Sequence, residues 1–300
     1  MGCFPLVKLA ESSLDKHTPE RDSAIQSPRQ NGRLQPSSTQ QNMKWNWTVR
    51  MNMALRLCLA LLIVEVPPAW ADEFDSAGVK IHYLMQGQGE PVILVHGLMA
   101  SAEINWVWPG VVAALAPNHR VVALDCRGHG LSGKPLGVDQ YGTNMVEDVV
   151  RLMDHLKIQR ADVAGYSMGG MITMKLMVLH PDRVRSGVVG GMGWLENDDL
   201  FPNLDKNDKD QNCLEDCAKG FNGLTLSPEQ IRNIKTPFLV IIGDHDSLRQ
   251  RFVEPLQRLR PDVPVKIIKD AGHLNCVGKP DFIKSLKTFL DSQTAKFAPN

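Results

Sequence analysis

The stretch Gly165-Tyr166-Ser167-Met168-Gly169 decides how this chain of 300 residues folds. It has the form G-x-S-x-G and stands between a short apolar run, residues 161–164, and an apolar stretch with helical spacing, residues 170–179. That order places the serine on a sharp turn from a strand into a helix, where its hydroxyl is exposed. Both flanking glycines are expected because a Cβ at either position would meet the crossing backbone. Ser167 is therefore the candidate nucleophile.

The overall composition is that of a globular protein with one sizeable domain. Apolar residues make up 43% of the chain, and 33 basic residues balance 33 acidic ones to a formal net charge of zero. The apolar fraction is sufficient for a substantial core. No long basic stripe is present in the sequence, which argues against nucleic acid as the main partner.

The N-terminal part differs in character from the rest. Residues 1–42 are polar and lack apolar periodicity, which predicts either a disordered extension or an assigned start upstream of the true one. Residues 43–71 have the order of a signal peptide, with basic residues, an apolar run at 57–64 and a small-x-small ending at Ala71. The run is far shorter than the ~20 residues that span a bilayer, so we expect no stable membrane anchor. We predict export to the periplasm or beyond, cleavage near Ala71, and one folded domain at 72–300.

Four cysteines remain in that domain: Cys126, Cys213, Cys217 and Cys276. Cys213 and Cys217 are four residues apart with no histidines at zinc-site spacing, so no metal site is predicted. A disulfide between these two would strain a helix. We interpret Cys126 and Cys276 as buried free thiols.

From residue 79 onward, short apolar runs alternate with helical patterns. Strands are predicted at 79–85 (as an edge strand), 91–95, 120–124, 161–165, 184–189, 237–242 and 263–268, and helices at 107–115, 145–156, 170–179, 248–259 and 280–290. The run at 91–95 is continuously apolar, as expected for a strand buried on both faces. Strict alternation of strand and helix predicts a mostly parallel sheet covered by helices on both faces.

Residues able to do chemistry stand where the predicted strands end. They are His96, Asp125, Ser167, Asp244, Asp246 and His273. In an open parallel sheet, ligands bind beyond the carboxyl ends of the strands. The convergence of a serine, a histidine and carboxylates at that edge is the main indication of function.

These residue types match the needs of acyl transfer. A serine hydroxyl requires a base to accept its proton, and His273 suits that task. Asp246 would fix the imidazole tautomer, and the chain order Ser167, Asp246, His273 is the order of folds with this serine turn. The backbone amides of Met168 and Leu98 are candidate donors to an oxyanion.

Five motifs together resemble those of the α/β-hydrolase family. In chain order they are His96-Gly97, Asp125-Cys126-Arg127-Gly128-His129-Gly130-Leu131-Ser132, Gly165-Tyr166-Ser167-Met168-Gly169, Gly243-Asp244-His245-Asp246 and Ala271-Gly272-His273. The resemblance covers residues 79–291 and implies an α/β-hydrolase fold, a mostly parallel central sheet flanked by helices with a short lid insertion at 191–236. It also implies Asp246 as the acid, with Asp244 as a turn residue.

The predicted lid carries five large apolar residues: Trp194, Leu195, Phe201, Phe221 and Leu224. They are equally compatible with the wall of an acyl pocket and with ordinary packing inside the lid. His96, Asp125 and Arg127 are predicted to shape loops rather than to act on substrate.

The sequence thus predicts an exported serine hydrolase that cleaves a small-molecule carboxylic ester through an acyl-enzyme, with no cofactor and no metal. Alternatives on the same fold are carbon–carbon bond hydrolysis of a diketone-like acid and a cofactor-free haloperoxidase-like activity. A binding protein without turnover is the alternative of another class, and the complete Ser-His-Asp set argues against it. Ser167 excludes the aspartate nucleophile of the resembling dehalogenases and epoxide hydrolases.

Overall fold

The computed structural model describes residues 70–197 and 212–297, and the side chains up to residue 295. The predictions for residues 1–42, for most of the signal peptide at 43–71 and for Phe201 lie outside the described residues.

Eight strands form one sheet. They are β1 (Trp70–Ser76), β2 (Val79–Gln86), β3 (Glu90–Val95), β4 (His119–Leu124), β5 (Ala161–Tyr166), β6 (Val184–Gly190), β7 (Phe238–Gly243) and β8 (Val265–Ile268). Their order across the sheet is β1-β2-β4-β3-β5-β6-β7-β8. β2 is antiparallel to both β1 and β4, and every other pairing is parallel. The mostly parallel sheet of the predicted fold is confirmed.

Helices connect the parallel strands. They are α1 (Val111–Leu115), α2 (Thr143–His155), α3 (Met168–Leu179), α4 (Cys213–Lys219), α5 (Pro228–Asn233), α6 (Glu254–Leu259) and α7 (Pro280–Phe297). Single turns of other helix types lie at Glu103–Val107, Val138–Gln140, Gly220–Leu224 and Arg249–Val253. Among the residues that the structure describes, no helix is long and apolar enough to span a bilayer.

The core lies on both faces of the sheet because strand side chains point alternately to the two sides. Ile93 and Val95 of β3 join one apolar cluster, which α2 and α3 cover. Val92 and Leu94 join the other, which α1 and α7 cover. All four side chains are fully buried. The expectation that this run is a strand buried on both faces is confirmed.

The first strand was not visible in the sequence. Its residues, Trp-Ala-Asp-Glu-Phe-Asp-Ser, are mostly exposed, and pairing along the whole of β2 holds them in place. β2 is therefore an inner strand, and the prediction of an edge strand at 79–85 is wrong. β1 begins at Trp70, so cleavage after Ala71 would remove its first two residues.

One predicted helix is divided, and another is continuous but mixed in type. The helix predicted at 107–115 is a π-helical turn at Glu103–Val107 followed by α1, separated by Gly110 in a left-handed conformation (φ +86°). The helix predicted at 248–259 is confirmed, with a π-helical turn at Arg249–Val253 that continues directly into α6. Pro255 lies where the π-helical turn passes into α6 and has no N–H to donate to the preceding turn.

The described part of the insertion between β6 and β7 contains α4, the turn at Gly220–Leu224 and α5. Ser227 and Gln230 form a reciprocal capping box that starts α5, and Asn212 caps α4. The side chains of Trp194, Leu195, Phe221 and Leu224 belong to the main core cluster. Packing inside the protein accounts for all four.

Candidate active site

The turn that carries Ser167, residues 165–169 and hereafter the elbow, is fixed by backbone contacts. Ser167 has φ +54° and ψ −114°, a backbone conformation that residues other than glycine rarely adopt. A Cβ added to Gly165 would lie 1.9 Å from the carbonyl oxygen of Gly169. A Cβ added to Gly169 would lie 2.0 Å from the carbonyl oxygen of Val95. The steric need for both glycines is confirmed.

The structure brings Ser167, His273 and Asp246 into one hydrogen-bonded line. His273 Nε2 lies 2.9 Å from Ser167 Oγ, and His273 Nδ1 lies 2.8 Å from Asp246 Oδ2. The other Asp246 oxygen accepts from the amide of Leu248 at 3.0 Å. The Asp246 side chain is fully buried, whereas that of His273 is 29% exposed. A carboxylate at Nδ1 fixes the tautomer in which Nε2 can accept the serine proton.

Two backbone amides are the predicted donors to an oxyanion at Ser167. Met168 is the first residue of α3, so its amide belongs to the unpaired N–H groups of a helix start. Gly97 follows β3 so closely against the elbow that its Cβ position would be 3.3 Å from Ser167 Cβ. Leu98, the other predicted donor, is the next residue in that loop. The role of both amides stays a prediction.

The two peptide groups that flank the Cα of Gly97 are each held by a side chain. His96 Nδ1 lies 2.7 Å from the Gly97 carbonyl oxygen, and His96 Nε2 accepts from the Cys126 amide at 2.9 Å. The Gly97 amide donates to Asn105 Oδ1 at 2.9 Å. Burial of the imidazole lowers the pKa of His96 to about 4, so the ring is neutral near pH 7 and its donor is on Nδ1. The predicted loop-shaping role of His96 is confirmed.

Asp125 and Arg127 hold loops, as predicted. The Asp125 carboxylate accepts from the amide of Ala102 at 2.7 Å and from that of Leu131 at 2.9 Å, joining the loops after β3 and β4. Arg127 makes two bonds of 2.6 and 2.7 Å to the buried carboxylate of Asp148. Neither residue bonds to the Ser-His-Asp line.

The two aspartates after β7 have different partners. Asp244 accepts from the amides of Asp270 and Ala271 at 3.1 and 3.0 Å, and the Ala271 bond is the main cause that lowers the pKa of its carboxyl group. The side chain of His245, between the aspartates, is 71% exposed. The structure thus pairs Asp246 with His273 and gives Asp244 to the segment between β8 and α7, residues 269–279, hereafter the histidine loop.

Sequence reasoning missed two residues of this site. Asn105 holds the Gly97 amide, and Tyr166 donates from its hydroxyl to the His273 carbonyl oxygen at 2.6 Å. Asn105 lies eight positions from Gly97 in a helical turn, with no motif around it. Tyr166 occupies a variable position of the G-x-S-x-G pattern. No signal in a single sequence distinguishes either residue.

All four cysteines of the described domain are free thiols, and Cys126, Cys217 and Cys276 are buried. Burial raises the pKa of Cys217 and of Cys276 to about 12 in each case, so both are protonated and unreactive near neutral pH. The buried-thiol interpretation of Cys126 and Cys276 is confirmed. Within residues 70–197 and 212–297, no group of three or more His, Cys, Asp or Glu side chains could hold a metal ion.

Comparison with known proteins agrees with this geometry. Residues 90–216 match the family model described as alpha/beta hydrolase fold. The solved structure of 2-hydroxy-6-oxo-6-phenylhexa-2,4-dienoate hydrolase from Rhodococcus sp. strain RHA1 superposes with a TM-score of 0.63 at 21% identity, covering 77% of this chain and 99% of that one. The chain thus has the α/β-hydrolase fold, and residues 90–216 carry its family signature.

The curated relatives differ in their chemistry. The 2-hydroxymuconate semialdehyde hydrolase of Pseudomonas sp. strain CF600 is 33% identical over 124 residues, 41% of this chain and 44% of that protein. Haloalkane dehalogenase 2 of Mycobacterium tuberculosis strain H37Rv is 36% identical over 121 residues, 40% of this chain and 41% of that protein. The chain thus spans less than half the length of these two relatives.

Proposed function

We propose that this protein is a serine hydrolase that cleaves a small-molecule carboxylic ester through an acyl-enzyme. The observation that carries the proposal is the line of contacts from Ser167 through His273 to Asp246, with distances of 2.9 and 2.8 Å. Nucleophile, base and orienting acid are all within hydrogen-bond reach, which is the geometry that serine nucleophiles require. The match of residues 90–216 to the alpha/beta hydrolase fold supports the same class of reaction.

The first half of the reaction transfers the acyl group to the enzyme. Ser167 Oγ attacks the ester carbonyl carbon while its proton passes to His273 Nε2. Asp246 stabilises the imidazolium, and the amides of Met168 and Leu98 donate to the oxyanion. Collapse of the tetrahedral intermediate breaks the bond to the alcohol oxygen, which takes the proton from His273. In the second half, water repeats these steps and releases the acid and free Ser167.

Hydrolysis of a carbon–carbon bond is the second candidate, and a specific observation favours it. The Pseudomonas relative, 33% identical, is named as a hydrolase of 2-hydroxymuconate semialdehyde, an unsaturated oxo acid and not an ester. On such a substrate the same line of residues would attack a carbonyl carbon, and a carbon leaving group would need the proton. An aspartate-nucleophile dehalogenation is not proposed, because Ser167 stands at the nucleophile position.

The protein reaches its compartment, in this proposal, by export and cleavage near Ala71. The basic, apolar and small-residue order of residues 43–71 supports it. The intact mass of the chain from periplasmic and culture fractions measures the cleavage site directly. A mature chain that keeps residues upstream of 43 would contradict the proposal, and cleavage before Trp70 would leave β1 complete.

The test of the catalytic proposal is covalent labelling. The folded protein is incubated with a fluorophosphonate, and intact mass is followed by peptide mapping. A single adduct at Ser167, absent from the matched variant Ser167→Ala, is the expected result, because only an activated serine displaces the fluoride. A folded wild-type protein that gains no adduct would overturn the proposed function.

Two assays on unlabelled enzyme, from a preparation that reacts with the fluorophosphonate, decide the substrate class. One uses 4-nitrophenyl esters of increasing acyl length, and the other follows loss of the absorbance of a 2-hydroxy-6-oxohexa-2,4-dienoic acid. A larger kcat/KM for an ester supports the first candidate. A larger value for the oxo acid, lost in Ser167→Ala, would replace it with the second.

A further inference from the structure

Tyr166 connects the elbow to the histidine loop. It directly precedes Ser167, and its hydroxyl donates to the carbonyl oxygen of His273 at 2.6 Å. The two aromatic rings lie 5.5 Å apart between centroids. One side chain thus joins the backbone next to the nucleophile to the backbone of the base.

The Tyr166 ring occupies a closely fitted site and has little freedom to move. A Cβ added to Gly190 would lie 2.8 Å from a ring carbon, and one added to Gly191 would lie 2.6 Å from another. The ring edge of Phe282 closes a further side, with centroids 5.9 Å apart. Tyr166 is only 5% exposed, and burial raises the pKa of its phenol, which therefore stays a neutral donor. The position of its hydroxyl is fixed relative to β5.

The backbone next to the base has few other constraints, although Ala271, Cys276 and Val277 of the histidine loop are buried. Asp244 holds the amides of Asp270 and Ala271, upstream of the base. The Gly272 amide bonds within the loop, to Asn275. Leu274, directly after the base, is 97% exposed and contributes little packing. The bond from Tyr166 acts on His273's own peptide group, where the loop is least supported by packing.

We propose that Tyr166 is a positioning residue that holds His273 within hydrogen-bond distance of Ser167 and Asp246. The inference rests on the proposed serine-hydrolase function. A small displacement of a catalytic group lowers the rate steeply, because proton transfer needs a short and aligned contact. Without the phenol, the His273 carbonyl would bond to water, and the loop would sample positions with a longer distance from Nε2 to Ser167 Oγ.

The test compares Tyr166→Phe with the matched control Tyr141→Phe. Tyr141 is also buried, and its hydroxyl also donates to a backbone oxygen, that of Pro135, at 2.7 Å. Both variants lose a hydrogen bond to a backbone oxygen, and Tyr166→Phe also loses a contact with the Cys276 thiol, so we expect Tm to fall in both. Tyr166→Phe should also lower kcat and the rate of fluorophosphonate labelling by about 10-fold, with KM changed by less than about two-fold. Tyr141→Phe should keep the wild-type labelling rate.

A labelling rate in Tyr166→Phe equal to that in Tyr141→Phe would overturn the proposal, because Tyr166 would then affect stability alone. Proton NMR of the His273 Nδ1–H gives a second answer that needs no turnover. We expect this signal to shift and broaden in Tyr166→Phe and to stay unchanged in Tyr141→Phe. If the wild-type protein fails to label, the proposed function is lost, and the NMR signal alone decides the positioning role: an unchanged signal refutes it.

Discussion

The elbow and the histidine loop supply the nucleophile and the base of the proposed reaction, but they are built in opposite ways. In the elbow, backbone atoms meet backbone atoms, and the site of an added Cβ at Gly169 is 2.0 Å from the Val95 carbonyl oxygen. In the histidine loop beyond Ala271, hydrogen bonds with the side chains of Tyr166, Asp246 and Asn275 hold His273 and Gly272, and Cys276 and Val277 pack inside. The close backbone contacts of the elbow leave no room for an added atom and do not depend on pH. The hydrogen bonds of the histidine loop allow small changes in backbone position but depend on the protonation of the groups that form them.

The largest effect should come from replacing the base. His273→Gln keeps a side chain of similar size but removes the proton acceptor, so we expect kcat/KM on the best ester to fall by about 10⁴-fold or more. Thermal unfolding should be close to that of the wild type, since the His273 side chain is 29% exposed and Gln is of similar size. A loss of less than 10-fold in a folded variant would show that another group acts as the base.

Replacing the buried carboxylate of Asp246 should cause the second-largest loss of activity. Asp246→Asn should lower kcat by about 10³- to 10⁴-fold, because an amide can stabilise the wrong imidazole tautomer and cannot stabilise an imidazolium. The matched control is Asp262→Asn, which removes a surface carboxylate bonded to Arg260. The control should keep wild-type kcat. Equal losses in both variants would contradict the assignment of Asp246.

Adding one methyl group at Gly169 tests whether backbone contacts fix the elbow. Gly169→Ala should reduce the free energy of unfolding by about 3 kcal/mol or more, since its Cβ meets backbone that cannot move aside. Gly278→Ala, in the histidine loop, places its Cβ 3.8 Å from the Asn275 carbonyl oxygen and should change stability by less than about 1 kcal/mol. Urea unfolding of both variants measures the difference. Similar losses would remove the contrast between the two regions.

The smallest effect concerns Asp244 and depends on pH. Bonds from backbone amides, that of Ala271 first, lower the pKa of the folded-state carboxyl group, so its contribution is present above the unfolded pKa of about 4 and is lost as pH falls through the lower, folded value. Asp244→Asn should therefore lower Tm near pH 7, and the gap from wild type should close below about pH 4. A gap that is constant from pH 7 to pH 3 would show that the charge of Asp244 plays no part.

Much of this architecture was predictable from residue order alone. The alternation of apolar runs and helical patterns gave seven strand positions, and polar residues at strand ends predicted the contact of Ser167 with His273. These features are local, since each depends on a short run of chain. The fixed backbone of the elbow also leaves a local mark, because its two glycines must appear at set positions.

The remainder depends on distant partners. β1 has little apolar pattern and exists because β2 offers a free edge. Tyr166 acts on a carbonyl group 107 positions away, and any residue can follow a glycine in the serine motif. The break between the π-helical turn and α1 depends on the backbone of Gly110. A region held by hydrogen bonds between remote side chains leaves no periodic mark in the sequence.

The space that the Tyr166 ring occupies limits which substitutions the neighbouring positions can accept during evolution. Because Gly190 and Gly191 leave room for the ring only while they lack side chains, positions 166, 190 and 191 cannot vary independently. A protein with a side chain at either glycine position has no room for an aromatic ring at position 166. Another residue must then hold the histidine loop in place. We therefore expect the residues at these three positions to covary among proteins that share this arrangement of the site.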